Sequence, residues 1–236
     1  MTTQLNTFPN REAMVQSLAG LIASKLQYAV DSRDNASLIV SGGNTPKSLF
    51  LQLAGQPLDW SKVWISLADE RWVDATSVDS NEYHVRQILL TGQASQARFI
   101  PLKTADEDPQ RACKDREPAL AVLPSPFDLV LLGMGDDGHT ASLFPFAEAL
   151  DKALDMDSNK TLLTLMPASL PVHAPYPRIT MTLPRLLDSR LIVLLLSGSN
   201  KFAVYNHALS GKKVMEMPIR AVLRQSEIPV MVYWAP

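Results

Sequence analysis

The sequence predicts an α/β fold, a three-layer α/β/α sandwich built on a mostly parallel, Rossmann-like sheet. Three observations carry this expectation. Short apolar runs alternate with longer amphipathic ones along the chain, the rhythm of strands joined by crossover helices. Several runs are apolar at consecutive positions, among them SLIVS at 37–41, FDLVLLGMG at 127–135 and RLIVLLLSG at 190–198. Unbroken runs of this kind suit strands covered on both faces. Polar, mostly glycine-bearing clusters then follow the runs, at the carboxyl strand ends where open α/β sheets bind ligands.

The elements follow in order. An opening helix is marked by Met14, Val15, Leu18, Leu21, Ile22 and Leu26 at helical spacing. Strands are expected at 37–41, 63–68, 98–102, 127–135, 161–166, 190–198 and 230–234. Helices are expected over 46–54, 80–90, 109–122, 146–154, 199–209 and 218–225. Pro118 counts against the third of these, because a mid-helix proline removes a donor and crowds the preceding turn. Prolines at 167, 171, 175, 177 and 184 mark 167–184 as an irregular excursion, a lid or a cleft wall. No fixed-period repeat and no low-complexity linker divides the chain, so a single domain over 1–236 is expected.

Composition narrows the partners. Of 236 residues, 46% are hydrophobic and 19% charged, an ordinary globular balance. The net charge of −2 argues against nucleic acid, which calls for a basic stripe. An anionic ligand must then be held by a few placed cations and backbone amides. No apolar run has the length of a membrane span, and the first residues lack the cationic start and apolar stretch of a secretory signal. Cys113 is the single cysteine, which fits a reducing cytoplasm. Monomer and small homo-oligomer both fit.

Four strand ends collect the informative residues. After SLIV comes Ser41-Gly42-Gly43-Asn44-Thr45-Pro46, which offers free backbone, an N-cap at Thr45 and proline at the first helical position. Amides at a helix start favour phosphate; a plain turn that needs glycine is the blander reading. Lys47 lacks the preceding glycine of a P-loop, so triphosphate binding is not expected. Asp69-Glu70-Arg71 closes the next strand. A solvated charged turn is the default for such a triplet, although Arg71 has the fork to grip a phosphate. Asn81 either caps the following helix or reaches the cleft.

The third loop, Gly133-Met134-Gly135-Asp136-Asp137-Gly138-His139, spells G-x-G-x-x-G after a strand. A dinucleotide reading fails because two carboxylates would face the pyrophosphate and Pro145 interrupts the helix that should follow. The better account is a turn that presents His139, suited to proton transfer near neutrality, with the Asp137 carboxylate two residues before it. A structural hydrogen-bonder is the usual role of a lone histidine, and His84, His173 and His207 are read that way. Lastly, Ser199-Asn200-Lys201 opens a helix with a lysine that opposes the helix dipole, tolerable if an anion lies between them. Arg178 is a weaker candidate of the same type. There is no G-x-S-x-G elbow, no H-E-x-x-H and no paired-cysteine site, so neither a serine acyl-enzyme nor a metal site is expected.

Taken together and in this order, SGGNTP at 41–46, ADER at 68–71 with SNE at 80–82, FDLVLLGMGDDGHTASLFP at 127–145, RITMT at 178–182 and SGSNK at 197–201 resemble the glucosamine-6-phosphate isomerase/6-phosphogluconolactonase family. The resemblance implies an α/β/α sandwich, a phosphorylated sugar lactone as small-molecule ligand and no cofactor. It carries the family's proton-transfer histidine onto His139 and the nearby acid onto Asp137. The phosphate grip falls on the loop from Ser41 through Gly42, Gly43 and Asn44 to Thr45, on Arg71 and on Lys201, with Arg178 nearby; Asp69 and Asn81 complete the candidate binding set. Asn44 departs from the serine more often found there.

The isomerases of the family continue after DGH as A-F-N-E-P. Here the continuation is Ala141-Ser142-Leu143-Phe144-Pro145, without the carboxylate. The resemblance therefore favours hydrolysis of 6-phospho-D-glucono-1,5-lactone in the oxidative pentose phosphate pathway. The alternatives are an isomerase or deaminase on an amino-sugar phosphate and a non-catalytic sugar-phosphate sensor.

Overall fold

The computed structural model describes residues 3–167 and 176–236. Seven strands lie parallel in one sheet. Their order is β1 (Thr3–Thr7), β10 (Val230–Ala235), β9 (Ile192–Ser197), β6 (Leu129–Leu132), β2 (Ala36–Val40), β3 (Val63–Leu67) and β5 (Arg98–Ile100). Every residue of β2 and β6 is buried, as the unbroken apolar runs require of strands with both faces covered.

Connections β1→α1 (Arg11–Arg33)→β2 and β2→α2 (Lys47–Ala54)→β3 step toward the β5 edge. Those from β5 through α4 (Pro109–Leu120) to β6, through α5 (Leu150–Leu154) and α6 (Leu183–Leu187) to β9, and through α7 (Ser199–Ser210) and α8 (Ile219–Arg224) to β10 step the other way. Right-handed crossovers running in opposite directions leave their helices on opposite faces. In agreement, α1 packs on α2, while α8 packs on both α6 and α7. The winding reverses between neighbours β2 and β6, which opens a crevice at their carboxyl ends. Among the described residues no helix is long and apolar enough to cross a membrane.

A second, antiparallel sheet of three strands adds a wall: β4 (Asp69–Arg71), β8 (Arg178–Met181) and β7 (Leu162–Leu165), in the order β4-β8-β7. Only Ala68 separates β3 from β4. The irregularity expected over 167–184 does not hold for its described carboxyl part, where 178–181 is a buried strand and 183–187 a helix, while Arg178 of β8 does line the cleft. Pro177 precedes β8, and Pro184 sits in the first turn of α6, where a missing N–H costs no hydrogen bond. His173 and the prolines at 171 and 175 lie outside the described residues.

Other boundaries moved for local reasons. The helix expected over 146–154 starts at Leu150, since Phe146 (φ 53°) and Ala149 (φ 65°) adopt left-handed backbone incompatible with it. The one expected over 80–90 is α3 (Asn81–His84) continued by a π turn over 85–89. Helix α4 does run through Pro118, with Asp108 capping it through Gln110 N at 2.8 Å. Strand β1 escaped notice because TQLNT is a half-exposed edge with little apolar content.

Candidate active site

The four strand ends meet around one cavity of about 320 Å³ in the β2/β6 crevice. The turn after β2 forms its floor. A Cβ on Gly42 would stand 1.9 Å from Asn81 Oδ1, so only glycine permits this approach, and Gly43 holds φ 96°. Thr45 lines the cavity but does not cap α2, which begins at Lys47 with no side-chain cap. The first amides of α2 therefore carry no side-chain partner. Asn44 is exposed and stands off the lining.

The β4 corner forms one wall. Asp69 is buried and accepts hydrogen bonds from Ser142 Oγ at 2.5 Å and, more weakly, Asn81 Nδ2 at 3.5 Å. The Asn81 amide also donates to the Asp69 carbonyl at 2.9 Å, while Ser80 caps α3 by accepting from Tyr83 N at 3.1 Å. Asn81 therefore reaches the cleft and leaves the cap to its neighbour. Glu70 is completely buried, and burial pushes its carboxyl up to about 7 against four hydrogen bonds that pull it down. The charged triplet is thus no solvated turn.

Two arginines enter from adjacent strands, Arg71 directly opposite Arg178 in the β4–β8 register. Arg71 Nη1 donates to the Asp79 carbonyl at 2.6 Å. Burial, and then the like charge of Arg71, hold the Arg178 guanidinium below its ordinary pKa. Both line the cavity, where an anion would relieve their repulsion.

The glycine-rich loop lines the same cavity. The Asp137 carboxylate accepts from His139 N at 3.0 Å and lies 2.6 Å from His139 Nδ1, which fixes the ring and leaves Nε2 for chemistry. Burial raises the Asp137 pKa, but the hydrogen bonds and charge of His139 outweigh it and hold the acid below its ordinary value. The pairing needs Gly135, whose Cβ would meet Nδ1 at 2.1 Å and Asp137 Oδ1 at 2.6 Å. His139 lines the cavity, with Asp137 behind it in a neighbouring surface groove.

The lysine at the start of α7 already has an anion beside it. Lys201 Nζ lies 2.7 Å from Asp136 Oδ1, which also accepts from Asn200 Nδ2 at 2.9 Å. Lys201 still lines the cavity, so its charge reaches the site as part of that pair. Of the candidates, only Asn44 and Asp137 are absent from the lining.

Sequence reasoning missed Glu70, Ser142 and Phe144 as members of the site. The Phe144 ring lies 4.3 Å from the His139 ring, with the Arg178 guanidinium 5.8 Å from its centroid. The available signal was the carboxylate missing from Ala141–Pro145, which identifies the position but not what fills it.

A family model described as glucosamine-6-phosphate isomerases/6-phosphogluconolactonase matches residues 9–234. The chain belongs to this family. Its 6-phosphogluconolactonase from Rhizobium meliloti (strain 1021) is 40% identical over 236 residues, covering the whole of both chains. The Mesorhizobium japonicum 6-phosphogluconolactonase is 42% identical over 231 residues, 98% of this chain and 94% of the relative. Among solved structures, a 6-phosphogluconolactonase from Shewanella baltica OS155 is 44% identical with a TM-score of 0.95, covering 99% of this chain and 98% of that one. Phe144, in the Ala141–Pro145 stretch that contains no carboxylate, packs its apolar ring on His139.

Proposed function

We infer that this chain hydrolyses 6-phospho-D-glucono-1,5-lactone to 6-phosphogluconate, the lactone-opening step of the oxidative pentose phosphate pathway. The observation that carries the reading is an imidazole, oriented by a carboxylate, lining the same cavity as two guanidiniums. The full-length likeness to 6-phosphogluconolactonases at 40% identity supports it independently.

In this mechanism Arg71, Arg178, Lys201 and the Gly42–Thr45 amides take the phosphate. Asp69 and Asn81 take sugar hydroxyls, and the lactone carbonyl lies near His139. Neutral His139 accepts a proton at Nε2 from a water molecule as its oxygen bonds to the carbonyl carbon. Asp137 stabilises the imidazolium that results. Backbone amides of the glycine-rich loop stabilise the oxyanion. When the tetrahedral adduct collapses, the bond to the ring oxygen breaks and that oxygen takes the proton back from Nε2. No cofactor enters the scheme. We further place the protein in the cytoplasm as a single domain; the buried Cys113 thiol, pushed up to about 12 by burial, suits a structural role there.

The deciding experiment is a coupled assay on freshly generated 6-phosphogluconolactone, corrected for spontaneous opening. His139→Asn should lower kcat by about 10²–10⁴-fold while calorimetry still registers binding of 6-phosphogluconate. Near-normal turnover in that variant would end the proposal. An amino-sugar phosphate isomerase or deaminase would instead release ammonia from glucosamine 6-phosphate, a reaction Phe144 disfavours by putting an apolar ring where the isomerase resemblance implies a glutamate. A sensor would bind sugar phosphate and turn nothing over.

A further inference from the structure

Glu70 has no part in the chemistry above, yet it is the most completely enclosed charge beside the cavity, with no exposed surface. Its Oε1 accepts from Arg71 N and Asn81 N, each at 2.7 Å; its Oε2 accepts from Glu82 N at 2.7 Å and Ser80 Oγ at 3.0 Å. A buried carboxylate is costly unless it is fully hydrogen-bonded. Ser80 caps α3 at Tyr83 N, and Glu70 takes the first two amides of that helix, Asn81 N and Glu82 N, but the bond it accepts from Arg71 N goes beyond capping. The donors come from two separate segments, β4 and the start of α3, so the carboxylate acts as a bridge between them.

Both segments serve the same side of the cavity. Arg71 donates to the Asp79 carbonyl at 2.6 Å, and Asn81 donates to the Asp69 carbonyl at 2.9 Å. Asn81 also bears on Gly42, leaving no room for a Cβ there. We propose that Glu70 is a positioning residue for phosphate recognition: its buried carboxylate holds Arg71 and Asn81 at a set separation and, through Asn81, seats the Gly42 turn. The proposal rests on reading Arg71 as a phosphate contact. A carboxylate is required because every group facing it is a donor; a glutamine would turn its own NH₂ toward one of them.

The test compares wild type, Arg71→Ala, Glu70→Gln and Ser80→Ala on 6-phosphogluconolactone at about pH 8, above the value of about 7 to which burial pushes Glu70. Glu70→Gln should raise KM about tenfold, with kcat within about twofold of wild type, as loss of uniform binding requires. The Kd for 6-phosphogluconate should rise in the same proportion. Ser80→Ala, which removes one donor of the four, should raise KM by about twofold to threefold. A folded Glu70→Gln protein with lowered kcat and unchanged KM would overturn the proposal, because a residue that merely supports folding lowers the active fraction. If Glu70→Gln shows no cooperative thermal transition, Ser80→Ala decides, and an unchanged KM there is equally fatal. Arg71→Ala separates the two levels. An unchanged KM in that variant removes the phosphate grip itself, whereas a raised KM there with none in Glu70→Gln removes only the role of Glu70.

Discussion

Gly135 and Asp137 illustrate how single residues build the proposed base. The ring of His139 occupies the space that any side chain at 135 would need, with Nδ1 2.1 Å from the position of a Cβ. Gly135→Ala must therefore displace the imidazole. A shift of about 1 Å costs roughly 10²-fold in rate, so kcat should fall by about that factor while phosphate binding by Arg71 and Arg178, on the separate β4–β8 sheet, changes little. Steady-state kinetics read both. Asp137 makes a pH prediction. Its pKa is depressed below the ordinary 3.8 by the hydrogen bonds and charge of His139, which outweigh burial. A depressed acid binds its proton less readily in the folded chain than in the unfolded one. Its stabilising contribution is thus present above 3.8 and disappears as pH falls through the lower folded value. The difference in urea midpoint between wild type and Asp137→Asn should follow this course, largest near neutrality and absent in strong acid. A difference that persists in strong acid would contradict it.

At the scale of elements, the carboxyl end of β6 does most to shape the site. Gly138 holds φ 79°, its carbonyl accepts from Ile219 N at 2.9 Å, and the Met217 side chain packs where a Cβ would go. Gly138→Ala should cost about 1–2 kcal/mol from the left-handed backbone alone, with Met217 displaced in addition. Because His139 is the next residue, urea melts and kcat should fall together; lost stability with full activity would mean that the loop tolerates the strain. The β6 loop was legible in the sequence because glycines, acids and a histidine directly follow an apolar run. The β4–β8 wall was not. Whether Asp69-Glu70-Arg71 is a solvated turn or a buried corner depends on β8 closing over it, and β8 comes from a stretch whose prolines suggest irregular chain. Pro118 falls in the last turn of α4, where it forfeits a single intrahelical hydrogen bond, whereas the left-handed Phe146 and Ala149 shortened α5 with no sequence signal to announce it.

For the molecule as a whole, Asp128 ties the sheet to its helical cover. It is nearly buried at the entry to β6, accepts from Ser37 N at 2.9 Å on β2, pairs with Arg33 at the end of α1, and lies 3.5 Å from Arg190. Asp128→Ala should destabilise by about 2–3 kcal/mol. This lies at or below the bottom of the range of about 3–5 kcal/mol for a broken buried pair, because both arginines are partly exposed and regain water. Urea denaturation measures the loss, and a change under about 0.5 kcal/mol, the level of an ordinary surface substitution, would place the contact outside the stabilising set.

From the amino-acid order alone came the layered α/β class, the strand ends as the candidate site, the pairing of His139 with Asp137 and the glycine turn, because each is written in neighbouring residues through periodicity, backbone freedom or a two-residue offset. Tertiary structure alone decided that Glu70 is buried and bridging, that Phe144 lies on the imidazole, that Lys201 arrives paired with Asp136, and that Arg71 faces Arg178. These are meetings of residues far apart in the chain. Burial and distance, which set their charge and hydrogen bonding, exist only once the crossovers have closed.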